Sequence, residues 1–335
     1  MKELCRASGG DCGGTSVDNA FYQIFVKLIG APLLITMKKE NPSAYLDLFR
    51  EFEAIKRTVY SNKDNKVMMS IPRALLDNMC KKHLKEDFEA VVQSSLYHDK
   101  MTLVYDKMRI DTNLIIDMFK QASERIIELI SDVLKKMKGS NLKMIILVGG
   151  FSGRKIIQDS IKSFFPSYRV IVPEDAELAV LKGEVLFGHK PDYIVARIAR
   201  YTYGVEVHYA FNPDIHEQGR CVVINGKKRC KNIFELYIKA ESVVELGVKI
   251  TRIIETINPF QSSIVFPIFQ STIKCPQYTD VEGCTKLGTL AVDIQDPSEE
   301  MRDFRVNIIF GNTELKVTAF DEKSGVECAT VLDLI

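Results

Sequence analysis

The stretch Lys143-Met-Ile-Ile-Leu-Val148, closed by Gly149-Gly150, constrains the fold of this chain more than any other. A continuous apolar run of that length reads as a strand buried on both faces, and such strands belong to parallel sheets covered by helices. A helical stretch from about Arg154 to Phe165 follows. A second short strand, Arg169-Val-Ile-Val172, then leads through Pro173 into a helix from about Ala176 to Phe187. Strand, helix, strand, helix in so short a span is the βαβα wiring of a parallel sheet with crossover connections.

The flanking regions have different textures. Residues before about 140 read mainly as helices. In Thr112 to Lys138 the apolar side chains Ile115, Phe119, Ala122, Ile126, Leu129, Val133 and Met137 recur at steps of three and four and share one face. Lys135, Lys136 and Lys138 complement the helix dipole at its end, and Gly139 is placed to cap it. After His189-Lys190-Pro191 come short segments separated by Gly, Pro and Asn: Tyr203 to Tyr209, Cys221 to Ile224, Ile264 to Phe269, Thr289 to Ile294, Phe304 to Phe310 and Glu314 to Phe320. Regular short strands of this kind indicate a β-sandwich-like domain, with Phe310-Gly-Asn-Thr as a hairpin turn. A chain of 335 residues exceeds what one core ordinarily supports, so two domains are expected, 1–190 and 191–335.

Composition narrows the function classes. Lys+Arg at 45 nearly cancels Asp+Glu at 44, leaving no global field for nucleic acid or an anionic membrane. No apolar run reaches the roughly 18 residues of a spanning helix, and the first residues lack a signal pattern, so a cytoplasmic location is expected. The eight cysteines contain no C-x-x-C pair and read as ordinary reduced thiols, although Cys275 and Cys284 could flank one hairpin. The five histidines make no metal-ligand set, and no catalytic residue is assigned.

Three clusters can carry chemistry. Gly149 and Gly150 stand at the carboxyl edge of a parallel sheet, where ligands approach the backbone and a helix start offers free N–H groups; a tight βα turn would use the same residues. Glu53, Lys56 and Arg57, with Tyr60 at i+7, are spaced to project from one helix face. The carboxylate and ammonium can hydrogen-bond ribose hydroxyls and the guanidinium can stack on a base; a surface charge ladder has the same spacing. Gly9-Gly10-Asp11-Cys12-Gly13-Gly14-Thr15 suits a phosphate cradle or a flexible turn before a helix at Val17 to Leu28. Asp11 and Asp18 beside it read as caps or as residues that approach a phosphate-bound metal.

Read in order, Gly-Gly-x-x-Gly-Gly-x-x-Val-Asp, Phe-Glu-x-x-Lys-Arg, Leu-Val-Gly-Gly-Phe, Val-Pro-Glu-Asp with Lys-Gly-x-Val-Leu-Phe-Gly, and Tyr-Thr-Tyr-Gly-Val resemble the heat shock 70 kDa protein 12 subfamily over nearly the whole chain. The resemblance implies an α/β, actin-like (ribonuclease H-like) nucleotide-binding lobe with an inserted helical subdomain at about 20–110, followed by a β-sandwich-like peptide-binding domain. It implies ATP or ADP, with Mg²⁺ in the complete fold, held by Glu53, Lys56, Arg57, Tyr60, Gly149 and Gly150. Phe151 and Ser152 stand in place of the usual Ser-Thr and downstream Arg, Glu177 where an Asp usually faces the nucleoside, and Gly10 near the phosphates. It also implies chaperone-like work in stress responses, with extended peptides and co-chaperones as partners. The family's phosphate loops, Asp-x-Gly-Thr and Asp-x-Gly-Gly-Gly-Thr, have no counterpart in this sequence, and no helical lid follows the β-rich part. A truncated chain with negligible ATPase activity is therefore expected. A non-hydrolysing scaffold in stress or immune signalling is the alternative, and a small-molecule kinase on the same superfold a third.

Overall fold

The computed structural model describes residues 1–60, 66–139, 141–311 and 314–333. The chain divides into two compact units: Ser8–Leu186, and Met1–Ala7 together with Phe187–Ile335. The first seven residues thus group with the C-terminal part and not with the 1–190 segment expected from the sequence. Lys2 bridges to Ala196, and the Glu3 carboxylate accepts from the Ile198 N–H at 2.7 Å.

In the unit Ser8–Leu186, α1 (Gly14–Ile29), α2 (Ala31–Glu40) and α3 (Pro42–Thr58) follow one another with sharp breaks. Gly30 supplies the first break at φ 85°, a left-handed conformation that favours glycine, and prolines begin both α2 and α3. Strand β1 (Val67–Ser70), helices α4 (Arg73–His83) and α5 (Phe88–Ser94), and strands β2 (Met101–Val104) and β3 (Lys107–Ile110) come next. The strands form an antiparallel sheet in the order β1-β3-β2, which the reading of this region as mainly helical missed. Helix α6 (Thr112–Lys136) starts where Asp111 accepts from the Asn113 N–H at 2.7 Å. Its Ile115, Phe119 and Ala122 are buried, whereas Ile126 and Leu129 are only partly covered. The core of this unit centres on Phe21, stacked on Phe52 at 4.0 Å and edge-on to Phe25 at 5.1 Å.

Strand β4 (Met144–Ile146) pairs in parallel with β5 (Arg169–Ile171) across α7 (Lys155–Phe164), and α8 (Ala179–His189) follows. This is the βαβα unit read from the sequence, with one correction. Met144, Ile146 and Val148 are exposed, whereas Leu147 is buried with Ile156, Ile157 and Ile161 of α7. The run is therefore covered on one side only. A two-strand sheet with one packed helix buries one face of the pleat, and successive side chains alternate between faces.

The C-terminal unit is built from β6 (Ala196–Ile198), β7 (Thr202–Ala210), β8 (Cys221–Ile224), β9 (Lys227–Ile238), β10 (Val243–Glu245), β11 (Lys249–Glu255), β12 (Ser263–Ser271), β13 (Cys284–Asp293), β14 (Asp303–Phe310), β15 (Glu314–Asp321) and β16 (Glu327–Asp333). A five-stranded sheet runs β13-β12-β7-β9-β8 and a four-stranded one β11-β14-β15-β16, all antiparallel, with β6 and β10 paired separately. Val205, Phe266, Ile268 and Leu290 of the first sheet share one buried cluster with Val306, Ile308, Val317 and Ala319 of the second. The Phe266 and Phe304 rings meet between them at 5.9 Å. Of the expected turn Phe310-Gly-Asn-Thr, Asn312 and Thr313 lie outside the described residues.

Candidate functional site

Helix α3 delivers Glu53 and Lys56 to one place. Lys56 is 3% exposed. Its ammonium lies 2.6 Å from Asp18 on α1, 2.5 Å from Glu53 one turn back, and 3.5 Å from the Gly14 carbonyl. Arg57 turns outward and donates to Glu53 from Nε at 3.0 Å. Tyr60 does not share this face. The helix ends at Thr58, so the i+7 position falls two residues past its end in extended chain, where the ring is half-exposed.

The turn after β4 meets this cluster through a residue the motif reading passed over. Gly149 adopts φ 90° and its N–H donates to the Ala176 carbonyl at 2.7 Å. Ser152 closes the turn with both its N–H and its hydroxyl on the Gly149 carbonyl, at 3.1 and 2.6 Å. Phe151 stacks on Phe119 at 6.0 Å. Helix α7 begins only at Lys155, so Gly149 and Gly150 border a turn and not the helix start itself. Arg154, the residue before α7, is 8% exposed; its guanidinium lies 3.4 Å from Glu53 and 3.9 Å from Glu177. An arginine thus stands at this turn, three residues after Phe151. The Gly-Phe-Ser-Gly-Arg spacing in the sequence was the signal that could have found it.

Glu53 is the hub. Partial burial alone would push its carboxyl up, but hydrogen bonds from Lys56 and Arg57 and the charge of Arg154 hold it below the ordinary range. Arg154 Nε is a buried donor with no hydrogen-bond partner among the described residues, an orphaned group of the kind a polar ligand can satisfy. A Cβ at Gly14 would stand 3.5 Å from Lys56 Nζ and 3.6 Å from Phe151. Gly14, and not Gly10, is thus the glycine of the N-terminal cluster that borders these groups. Gly10 faces Arg125 and Leu129 of α6 instead. Among the described residues nothing beyond their chain neighbours lies within 4 Å of the Cβ positions of Gly149 and Gly150, so backbone is open to close approach there.

The C-terminal unit has a separate cleft of about 650 Å³. Its lining includes the apolar Val207, Ile253, Ile264 and Val265, the basic Lys227, Lys228 and Arg229, and the acidic Glu206, Glu255 and Asp303. Burial lowers the His208 imidazole below its ordinary value, against the pull of Glu206.

No family model matches the chain. Curated proteins do. Heat shock 70 kDa protein 12B of Homo sapiens is 28% identical over 346 residues, covering 100% of this chain and 50% of that protein. Heat shock 70 kDa protein 12A is 30% identical in Homo sapiens and 29% in Mus musculus, each over 326 residues that cover 96% of this chain and 48% of the relative. The mixed α/β architecture with several sheets is consistent with the 70-kDa heat-shock family, the class that these relatives define. Within that class the chain is similar to the heat shock 70 kDa protein 12 subfamily. It spans about half the length of the relatives it matches.

Proposed function

We propose that this chain is part of an atypical 70-kDa heat-shock-like protein that binds adenine nucleotide through the Glu53 cluster and extended peptide through the β-rich unit. Residues 1–190 would be a partial actin-like nucleotide-binding lobe with an inserted subdomain at about 20–110, and residues 191–335 a β-sandwich-like peptide-binding domain. The observation that carries the nucleotide reading is the Arg154 bridge: it joins α3, with its ribose- and base-contacting residue types, to the open glycine turn after β4. Glu53 and Lys56 would hold ribose hydroxyls, and Arg57, exposed at the surface beside Glu53, would lie over the base. Gly149, Gly150, Phe151, Ser152 and Glu177 would border the nucleoside.

The donor set fits a nucleotide, because the buried Arg154 Nε lacks a partner among the described residues and Lys56 and Arg57 add positive charge. Bound nucleotide would supply phosphate oxygens for Mg²⁺. Phosphoryl transfer needs positioned charge around the γ-phosphate. The reading for this chain is nucleotide binding, in a cytoplasmic chaperone-like role. The apolar cleft supports the peptide half, where main-chain hydrogen bonds and side-chain pockets would hold an extended segment.

Isothermal titration of ADP into wild-type protein and Arg57→Ala tests the nucleotide reading. The expected result is saturable binding that the substitution weakens about tenfold, the loss of one stacked cation. No heat with the wild-type chain, or identical isotherms for the two, overturns it.

A further inference from the structure

Cys221 and Cys230 stand directly opposite each other on β8 and β9. The two strands are joined by the two-residue turn Asn225-Gly226, with φ 47° and 73°, the positive pair that an Asn-Gly hairpin turn adopts. In such a hairpin the residues flanking the turn, here Ile224 and Lys227, form a hydrogen-bonded pair, and the pair type alternates along the ladder. Val223 with Lys228 is then non-hydrogen-bonded, Val222 with Arg229 hydrogen-bonded, and Cys221 with Cys230 non-hydrogen-bonded. Opposed residues of that last type lie about 4.5 Å apart between Cα atoms, with both side chains on the same face. That spacing falls inside the range a disulfide spans. Both thiols are free in the structure, Cys230 buried and Cys221 half-buried.

We propose that Cys221 and Cys230 are a modification site, closing into a reversible cross-strand disulfide by exchange with a small-molecule disulfide such as glutathione disulfide. Cys221 is the accessible thiol and meets the oxidant first. Its thiolate attacks one sulfur of glutathione disulfide and expels a glutathione thiolate, leaving a mixed disulfide on Cys221. Cys230 then loses its proton and attacks Cys221 Sγ, and the second glutathione leaves. Two protein thiols are oxidised, one glutathione disulfide is reduced to two glutathiones, and the two protons go with them. Burial pushes the Cys230 thiol up, while the Arg220 guanidinium works against that rise. Arg220 itself is held 3.7 Å over the Tyr278 ring and 2.7 Å from Asp280. The covalent rung lies on the hairpin whose Lys227, Lys228 and Arg229 line the cleft, so it would stiffen one wall of that cleft.

Trypsin cuts after Arg220, Lys227, Arg229 and Lys231, so the two cysteines leave on separate peptides that stay together only through a disulfide. The test equilibrates the folded full chain in reduced and oxidised glutathione buffers, blocks remaining thiols, digests without reductant and reads the peptides by mass. The expected outcome is a joined 221–227 and 230–231 product in oxidised buffer, lost on adding dithiothreitol and absent from Cys221→Ser. Finding both cysteines blocked as free thiols after equilibration in glutathione disulfide, or a persistent glutathione adduct on Cys221 alone, overturns it. Because Cys221 is half-buried, its serine variant keeps the fold, and circular dichroism checks that it does.

Discussion

The buried ion pair between Arg302 and Asp321 gives a sharp test of how the C-terminal unit is held together. Arg302 Nη1 lies 2.8 Å from Asp321 Oδ2, and the two side chains are 4% and 3% exposed. Asp321 also accepts from the Ser324 hydroxyl at 2.7 Å and the Lys323 N–H at 3.0 Å, which fastens the turn between β15 and β16. Asp321→Asn keeps the shape but leaves the Arg302 charge buried, its nearest remaining carboxylate being the exposed Asp296 at 3.8 Å. Breaking a buried pair from one side costs about 3–5 kcal/mol. For a unit of this size that is a fall in melting temperature on the order of 10 °C. The acid limb gives the sign. Burial alone would raise the Asp321 carboxyl, but its hydrogen bonds from Ser324 and Lys323 and its pairing with Arg302 bring it below the ordinary 3.8. A depressed folded value contributes stability that is complete above 3.8 and is lost as pH falls through the folded value. Calorimetry of wild type and Asp321→Asn from pH 7 to pH 2 should therefore show a gap that closes in acid. Replacing both residues, Arg302→Met with Asp321→Leu, should recover most of the loss. A single-variant cost under about 1 kcal/mol, or a gap independent of pH, would refute the reasoning.

Three further outcomes are expected. Gly204→Ala should destabilise the β-rich unit by about 1–3 kcal/mol in urea unfolding, because a Cβ there would stand 2.3 Å from Phe234 and 2.4 Å from the Glu235 carbonyl. Phe52→Ala should cost the helical unit about 3–5 kcal/mol by the same measurement, since it empties the stack under Phe21. Glu53→Gln should lower stability by about 1 kcal/mol near neutral pH, discounted for an acceptor a third exposed, and the difference should vanish as pH falls through the lowered Glu53 value.

How far the sequence revealed this molecule depended on whether the deciding physics was local. The βαβα unit was legible because an uninterrupted apolar run and the Gly-Gly turn are local signals. Six strand segments of the β-rich unit were read for the same reason. Strands β9 and β11 were missed because Lys227 to Arg229 and Lys249 to Arg252 carry charge where a core strand carries apolar residues, and their burial is supplied by partners distant in sequence. The buried Lys56 was placed on the right helix but read as solvated or ligand-facing, because its partner Asp18 lies on α1. Arg154 was hidden for a similar reason: its meaning lies in Glu53, far back along the chain. Helix period put Tyr60 with Glu53, but the helix ends first, at Thr58. Cys221 and Cys230 became a pair only once the Asn225-Gly226 turn fixed the register.

The location of the nucleoside is the central claim, and photolabelling tests it most directly. The chain is irradiated with an azido-substituted ADP, digested, and the modified peptides are mapped with and without excess ADP. Labels on peptides spanning 50–60 and 149–158, suppressed by competing ADP and reduced in Arg154→Met, are the expected result. Labels confined to other parts of the chain, or labels that ADP does not displace, would contradict it.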